Sequence, residues 1–176
     1  MENIRFTQIY KENQDLHQEL LPLWLDYMKE IGEHNSNSPY NNDEIIKDIQ
    51  GLERRVKIQG NRKEMHFELF YCDDLLIGFA NFAIDTGTVY GLIEAGYGVV
   101  MEFYIAPNYR RKGYGKILFG HIEKALKSDG TQHIYLTPDL VTGEAFWVAM
   151  GFRDTGKVDP DNKLPIYLKN ILDNIE

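Results

Sequence analysis

The sequence has only one cysteine, Cys72, among its 176 residues. A single cysteine can form neither an internal disulfide nor a cysteine-rich metal cluster. Its place in the strand-like stretch FELFYCDD favours packing over a role as nucleophile. No apolar run reaches the roughly 18 residues that a membrane span needs, and the N-terminus lacks the apolar segment of a signal peptide. We therefore expect a cytoplasmic protein that does not act at a membrane.

Histidines and basic residues are also sparse. The five histidines are scattered without ligand-like spacing, so we expect no bound metal. The chain has 19 Lys and Arg against 27 Asp and Glu, a net charge of −8 and a pI near 5.1, which argues against nucleic-acid binding. One stretch departs from this balance, because residues 108–127 contain six Lys or Arg and one Glu. A local basic stretch suits a small polyanionic ligand, and the acidic remainder could attract a cationic substrate.

The remaining composition is that of a globular protein, with 43% hydrophobic and 26% charged residues. The length favours one domain over residues 1–176. Helical spacing predicts helices over 15–31, 42–60, 116–130 and 142–152, with a polar loop over 32–42. Alternation and turn residues predict strands over 4–10, 97–107, 133–138 and 165–172, and a hairpin over 65–84 with Asp73-Asp74 at its turn. This order predicts an α/β domain with a mixed sheet.

The stretch APNYRRKGYGKIL concentrates positive charge and glycine where a strand passes into a helix. Helix N-termini expose unpaired N–H groups and the positive end of the helix dipole, which together bind phosphate. Gly113 and Gly115 lack the Cβ atoms that would keep a phosphate from the backbone, and Arg110, Arg111 and Lys112 add positive charge. The stretch is neither a Walker loop nor a dinucleotide fingerprint. Taken alone, R-x-x-G-x-G could equally be a solvated basic turn.

In its context, this stretch resembles the acetyl-CoA signature of the GNAT superfamily of N-acetyltransferases. That signature is R/Q-x-x-G-x-G/A after a strand with a V-x-P-like step, here Ile105-Ala106-Pro107 followed by Arg110, Gly113 and Gly115. A second family motif, F-Y-x-x-x-G-F, corresponds to Phe146-Trp147 and Gly151-Phe152. The resemblance covers roughly residues 65–171, and the first half of the chain fits only coarsely. It implies a mixed, mostly antiparallel twisted sheet flanked by helices.

The resemblance also implies a co-substrate, acetyl-CoA, whose pyrophosphate would be held by the backbone of the glycine-containing loop. In the family, the pantetheine arm pairs like an added strand with the strand before that loop. Acetyl transfer to an amine is direct, without a covalent acyl-enzyme. The residues expected to bind the cofactor are Phe103, Tyr104, Ile105, Arg110, Arg111, Lys112, Gly113, Tyr114, Gly115, Lys116, Thr137 and Trp147.

An attacking amine must lose its proton, and Glu102 is the only acid in the strand over 98–106. A carboxylate in an apolar strand has its charged form disfavoured, which makes it a better proton acceptor. We expect Glu102 to be the catalytic base, directly or through water; the alternative is a residue that faces solvent or orients the substrate ammonium. Many relatives place the carboxylate one position earlier, at Met101 here, and a shift of one residue moves a side chain to the other face.

The second motif departs from the family at two positions. Trp147 replaces the tyrosine that protonates the leaving thiolate in relatives, and an indole N–H cannot serve as an acid at neutral pH. Trp147 is therefore expected to pack against the cofactor or the core, and the thiolate could leave without an acid. Leu140 replaces a frequent asparagine, whose pantetheine contact Thr137 or Thr142 could supply. The tyrosines that could replace the missing acid are Tyr104, Tyr109, Tyr114 and Tyr135.

The function that follows is acetyl transfer from acetyl-CoA to a primary amine of a small-molecule or peptide acceptor. The acceptor site could be bordered by the loop over 34–42 or by Tyr90, Glu94 and Tyr97, since the first two helices and their connection shape substrate choice in relatives. Relatives often form homodimers through their C-terminal strands. One rival is a CoA-binding sensor that has lost catalysis; another is a transferase for longer acyl groups.

Overall fold

The computed structural model describes residues 2–35, 40–88 and 91–172. Its helices and strands are, in chain order, β1 (Ile4–Gln8), α1 (Gln14–Asn35), α2 (Asn42–Lys57), β2 (Met65–Cys72), β3 (Leu75–Ile84), β4 (Gly98–Ile105), α3 (Tyr114–Ser128), β5 (His133–Leu136), α4 (Glu144–Ala149), β6 (Arg153–Val158) and β7 (Pro165–Asn170). A 3₁₀ turn over Pro107–Tyr109 follows β4. Among these described helices, none is both long and apolar enough to cross a bilayer.

The seven strands of the described residues form one sheet in the order β1-β2-β3-β4-β5-β7-β6. β4 and β5 run parallel, with Gly98 opposite Ile134 and Val99 opposite Tyr135. The pairs β1–β2, β5–β7 and β6–β7 are antiparallel. The prediction of a mixed sheet flanked by helices is confirmed.

The chain divides into two compact units, Met1–Asn81 with Phe103–Tyr114, and Phe82–Glu102 with Gly115–Glu176. In the first unit, α1 and α2 cover a core rich in aromatic rings. Trp24 is fully buried there, its ring 5.7 Å from that of Phe79, and its indole N–H donates to the carbonyl of Asp48 on α2. This hydrogen bond ties α1 to α2. The expectation of one domain over residues 1–176 stays a prediction.

Local sequence signals explain two features of the first unit. Asn41 caps α2, because its side chain accepts from the N–H groups of Asp43 and Glu44 while the Glu44 carboxylate accepts from the N–H of Asn41. Asp73 and Asp74, between β2 and β3, both have positive φ, at 47° and 63°. Aspartate tolerates this conformation better than most residues, so the predicted hairpin turn is confirmed.

The core of the second unit is built around Trp147 on α4. Its ring lies 5.5 Å from that of Phe119 on α3 and 5.3 Å from that of Phe152, both in edge-to-face geometry. Lys169 of β7 forms a 2.6 Å ion pair with Glu123 of α3. These contacts join α3, α4 and β7 into one packed unit.

Several predicted boundaries were wrong. α1 continues through residues 32–35, which were assigned to a loop, because Gly32 costs only about 1 kcal/mol in a helix whose Met28 and Ile31 still pack against the core. α2 ends at Lys57 rather than Gly60, and α3 begins two residues earlier than predicted. β6 was not predicted, because its sequence RDTGKV is polar and mostly exposed, without the alternation of a half-buried strand.

Candidate functional site

The loop between β4 and α3 has two residues in the left-handed region. Arg111 has φ of 62° and Gly113 has φ of 92°. Arg111, Lys112, Gly113 and Lys116 are all exposed. The first-turn N–H groups of α3, which starts at Tyr114, have no acceptor within the helix by geometry. The loop thus presents backbone donors and three cations to solvent, as an anion-binding turn requires.

The two loop glycines serve different local purposes. A Cβ atom on Gly113 would meet no atom within 4 Å, so the absence of a side chain leaves open space above the backbone. A Cβ atom on Gly115 would instead lie 3.2 Å from the ring of Phe146 on α4. Gly115 is therefore small because α3 and α4 pack closely, whereas Gly113 leaves the backbone accessible. Gly113 is the glycine whose environment fits a bound phosphate.

Arg110 differs from the other cations of the loop, because its guanidinium is already occupied. It donates to both carboxylate oxygens of Glu30 on α1, at 2.9 and 2.7 Å, and its Nε donates to the carbonyl of Ile105 at 2.8 Å. Its guanidinium carbon also lies 5.1 Å from the ring centre of Tyr104. Burial alone would lower the pKa of Arg110, but the hydrogen bonds and charge of Glu30 outweigh this effect and raise it. The charge of Arg110 is thus neutralised within the fold.

At the end of β4, the backbone N–H and C=O groups of successive residues point in opposite directions. The N–H of Ala106 donates to the carbonyl of Ile77 on β3, and a Cβ on Gly78 would lie only 2.4 Å from the carbonyl oxygen of Tyr104. Backbone groups of alternate residues point the same way along a strand. Those of Tyr104 therefore face β3, and those of Phe103 and Ile105 point away from β3. Sequence reasoning missed Gly78, which lets the two strands approach.

Glu102, the predicted base, is a buried carboxylate in β4. It is 7% exposed, and it shares its face of the strand with Val100, which is also buried. Met101 is half-buried on the opposite face. Because alternate residues share a face, a carboxylate at 101 and one at 102 would serve different sides of the sheet.

The candidate tyrosines are engaged in other contacts. Burial, followed by the charge of Glu30, raises the pKa of Tyr104 to about 12. A hydrogen bond with Cys72, 3.5 Å away, is the largest cause that raises the pKa of Tyr114. The hydroxyl of the fully buried Tyr135 donates to Asp85 at 2.5 Å. The ring of Tyr109 packs edge-on against that of Tyr114. Phenols with a raised pKa are poorer acids, so neither Tyr104 nor Tyr114 fits the role of proton donor.

The residues of the second motif lie in and around the core of the second unit. Trp147 is 6% exposed. Leu140, at the position of the family's asparagine, is 48% exposed. Thr142 is one of the two residues predicted to replace that asparagine, and its hydroxyl already donates to Asp139 at 2.6 Å. Thr137 is half-buried beyond the end of β5.

Asp85 is a buried residue that sequence reasoning missed. It is fully buried, and besides Tyr135 it accepts from the N–H groups of Gly87 and Gly91, at 2.8 and 2.9 Å. It therefore anchors the start of the connection between β3 and β4. The Asp-x-Gly sequence at 85–87 is a typical signal for such an Asx turn and could have identified it.

The residues considered for the acceptor site are only partly described. Of the predicted loop over 34–42, residues 36–39 lie outside the described residues. Tyr90, a further candidate, lies outside them too. Tyr40 donates to Asp48 of α2 at 2.6 Å, and Tyr97 stacks on His133 with ring centres 4.5 Å apart. Across the part of the chain that the structure describes, no three His, Cys, Asp or Glu side chains form a group able to hold a metal ion.

Comparison with known proteins identifies the family. The model of the acetyltransferase (GNAT) family matches residues 15–152. Sequence comparison with curated proteins found no match.

Solved structures of other proteins are similar to this chain over nearly its whole length. The PaiA N-acetyltransferase from Thermoplasma acidophilum in complex with coenzyme A has a TM-score of 0.69 at 19% identity, covering 96% of this chain and 99% of that one. An aminoglycoside 6′-acetyltransferase type Ii has a TM-score of 0.67 at 18% identity, covering 96% and 97%. The Escherichia coli ribosomal-protein-S18-alanine N-acetyltransferase has a TM-score of 0.55 at 15% identity, covering 100% and 99%. Likeness at these identities concerns the fold alone. The family match over residues 15–152 shows that the chain belongs to the GNAT family of acetyltransferases.

Proposed function

We propose that this protein transfers the acetyl group of acetyl-CoA to a primary amine of a small-molecule or peptide acceptor. The observation that carries the proposal is the loop after β4, where left-handed Arg111 and Gly113 lead into α3 and open space lies above Gly113. Family membership and the coenzyme A bound to the PaiA enzyme support acetyl-CoA as the co-substrate.

The loop fits the pyrophosphate of acetyl-CoA in charge and in shape. Backbone N–H groups of residues 111–116 would donate to phosphate oxygens, and the exposed side chains of Arg111, Lys112 and Lys116 would add positive charge. The backbone groups of Phe103 and the N–H of Ile105, whose carbonyl already accepts from Arg110, would pair with the pantetheine arm. Tyr104, Tyr114, Gly115 and Trp147 would support the site through packing, and Thr137 is the candidate for a pantetheine contact.

The chemistry requires a neutral amine at a thioester carbonyl. Bound acetyl-CoA supplies the activated acetyl group. Glu102 would accept the proton of the attacking ammonium, directly or through a water molecule. Because a thiol has a reference pKa of about 8.5, CoA can depart as a thiolate, and the tryptophan at position 147 is compatible with turnover.

One observation favours a second candidate, a CoA-binding sensor without catalysis: the indole of Trp147 occupies the position of the family's acid. A panel of amines, including aminoglycosides, polyamines and peptides, incubated with acetyl-CoA and a thiol reagent separates the two. Release of free CoA that depends on one amine class supports the transferase. Tight acetyl-CoA binding by calorimetry without thiol release from any amine would support the sensor. A panel of longer acyl-CoA thioesters with the same amines tests for a different acyl group.

A further inference from the structure

Arg110 and Glu30 form a bidentate ion pair between elements that are 80 residues apart in the chain. The side chains are only 31% and 21% exposed. Bidentate pairs between guanidinium and carboxylate are strong and directional. In a partly buried pair, removal of one partner leaves the other charge without compensation. The pair is therefore more than a solvated surface contact.

Arg110 holds three parts of the first unit at one point. Its terminal nitrogens bind Glu30 near the end of α1, its Nε binds the carbonyl of Ile105 in the last residue of β4, and the guanidinium lies beside the ring of Tyr104. The hydroxyl of Tyr104 is 3.5 Å from the Glu30 carboxylate. Arg110 directly precedes Arg111, the first left-handed residue of the loop. The position at which the loop leaves β4 is therefore fixed from α1.

We propose that Glu30 is a positioning residue for the cofactor loop, and that Arg110 acts through Glu30 rather than by contacting phosphate. The inference rests on the proposed function, since it concerns the loop assigned to acetyl-CoA. Glu30 directs the guanidinium away from the ligand and keeps the backbone donors of residues 111–116 in place. The cations left to meet phosphate are Arg111, Lys112 and Lys116. Helix α1 thereby contributes to cofactor affinity without touching the cofactor.

A double-mutant cycle tests this proposal. Its readouts are the dissociation constant of acetyl-CoA, measured by calorimetry at 25 °C, and the steady-state KM and kcat. Glu30→Met and Arg110→Met should each raise the dissociation constant and KM by about fivefold or more, with little change in kcat. The double variant should bind about as weakly as either single variant, because both changes break the same pair. Glu33→Met, one turn further along α1 in an exposed pair with Lys29, should bind like wild type.

If Arg110 contacted phosphate, Glu30→Met would free the charge of Arg110, and the affinity for acetyl-CoA would stay the same or improve. Arg110→Met would then weaken acetyl-CoA binding equally with Glu30 and with Met at position 30. That result overturns the proposal. A lower melting temperature with unchanged affinity also overturns it, since the pair would then be only structural. Should a methionine variant fail to fold, Glu30→Gln and Arg110→Gln, which also remove one charge of the pair each, provide the same comparison. Wild-type protein that does not bind acetyl-CoA would instead contradict the proposed function itself, whereas binding unaffected by Glu30 changes would contradict only this inference.

Discussion

Glu102 is the residue on which the proposed proton transfer depends. It is buried on one face of β4, while Met101 occupies the other face. A shift of a carboxylate by one position along a strand exchanges its face. The position of the acid therefore decides which side of the sheet can activate an amine.

Glu102→Gln should lower kcat by about 10²-fold or more while acetyl-CoA still binds, because the amide cannot accept the amine's proton. The loss should shrink at high pH, where the amine deprotonates without help. Steady-state thiol release across a pH series measures both effects. Glu12→Gln, at an exposed acid paired with Lys11, is the control and should retain wild-type rates. A Glu102→Gln enzyme with near-normal kcat at neutral pH would reduce Glu102 to a structural residue.

Trp147 has aromatic neighbours on several sides, including Phe119 and Phe146 at 5.5 and 4.9 Å between ring centres. We expect Trp147→Tyr to fold and to change turnover by no more than a few-fold, because the thiolate is already a tolerable leaving group. The measurement is thiol release by both proteins at several pH values. An increase of kcat approaching 10²-fold, the low end for acid catalysis, would show that a proton donor is what the wild type lacks. Trp147→Phe serves as control, since it trims the ring without adding a phenol.

At the scale of elements, the loop between β4 and α3 combines a packing glycine with an accessible one. Gly115 is closed in by Phe146, whereas Gly113 is open and left-handed. A substitution at Gly113 therefore has two effects, backbone strain and obstruction of the ligand, which a matched set of variants can separate.

Gly113→Asp should weaken acetyl-CoA binding at least about tenfold, equivalent to about 1.4 kcal/mol, because it places a side chain and a negative charge where phosphate must approach. Calorimetry on folded protein provides the measurement. Gly130→Asp is the matched control: Gly130 also has a positive φ, of 99°, and no neighbour within 4 Å of its Cβ position, but it follows the other end of α3. Gly113→Asn removes the charge and should bind better than Gly113→Asp. Equal affinity of wild type and Gly113→Asp would rule out a phosphate site here.

Elements with local signals could be predicted from the sequence, and those that depend on distant partners could not. The Asp73-Asp74 turn and the start of α2 follow from residues within a few positions. β6 could not be predicted, because it is exposed and forms through pairing with β7, with a register irregularity between Asp154 and Val158. Propensity is a weak guide where cross-strand pairing determines the strand.

The candidate site shows the same division. The loop motif indicated the candidate anion-binding turn by residue type alone, since glycine and cations before a helix have a local physical meaning. The partner of Arg110 could not be predicted, because Glu30 is distant in sequence and one of many acids in the chain. The separate purposes of Gly113 and Gly115 likewise depend on Phe146, which only packing brings to α3.

At the scale of the whole molecule, several of the chain's 11 tyrosines are held in a state that resists ionisation. Burial is the main cause that raises the pKa of Tyr71 to about 12, and its hydroxyl donates to Glu19 at 2.8 Å. Tyr104 is raised to a pKa of about 12 beside Glu30, and a hydrogen bond to Glu144 is the main cause that raises the pKa of Tyr167 to about 12. Each of these phenols donates a hydrogen bond to a carboxylate, and a nearby negative charge disfavours ionisation of the phenol.

The stability of the protein should therefore fall in alkali through its tyrosines. Below a pH of about 10, the reference pKa of tyrosine, each phenol is neutral in the folded and unfolded chain, and its contribution to stability is fully present. Between about pH 10 and 12 the unfolded chain releases protons that the folded chain retains, so the free energy of unfolding decreases with pH until the folded pKa is passed.

Urea unfolding at a series of pH values should show this decrease, and the decrease should be less steep for Tyr71→Phe and Tyr104→Phe. Tyr10→Phe, at a ring that is 42% exposed, is the control and should keep the wild-type slope. Identical slopes for all four proteins would show that these hydroxyls ionise in the folded protein as they do in the unfolded chain.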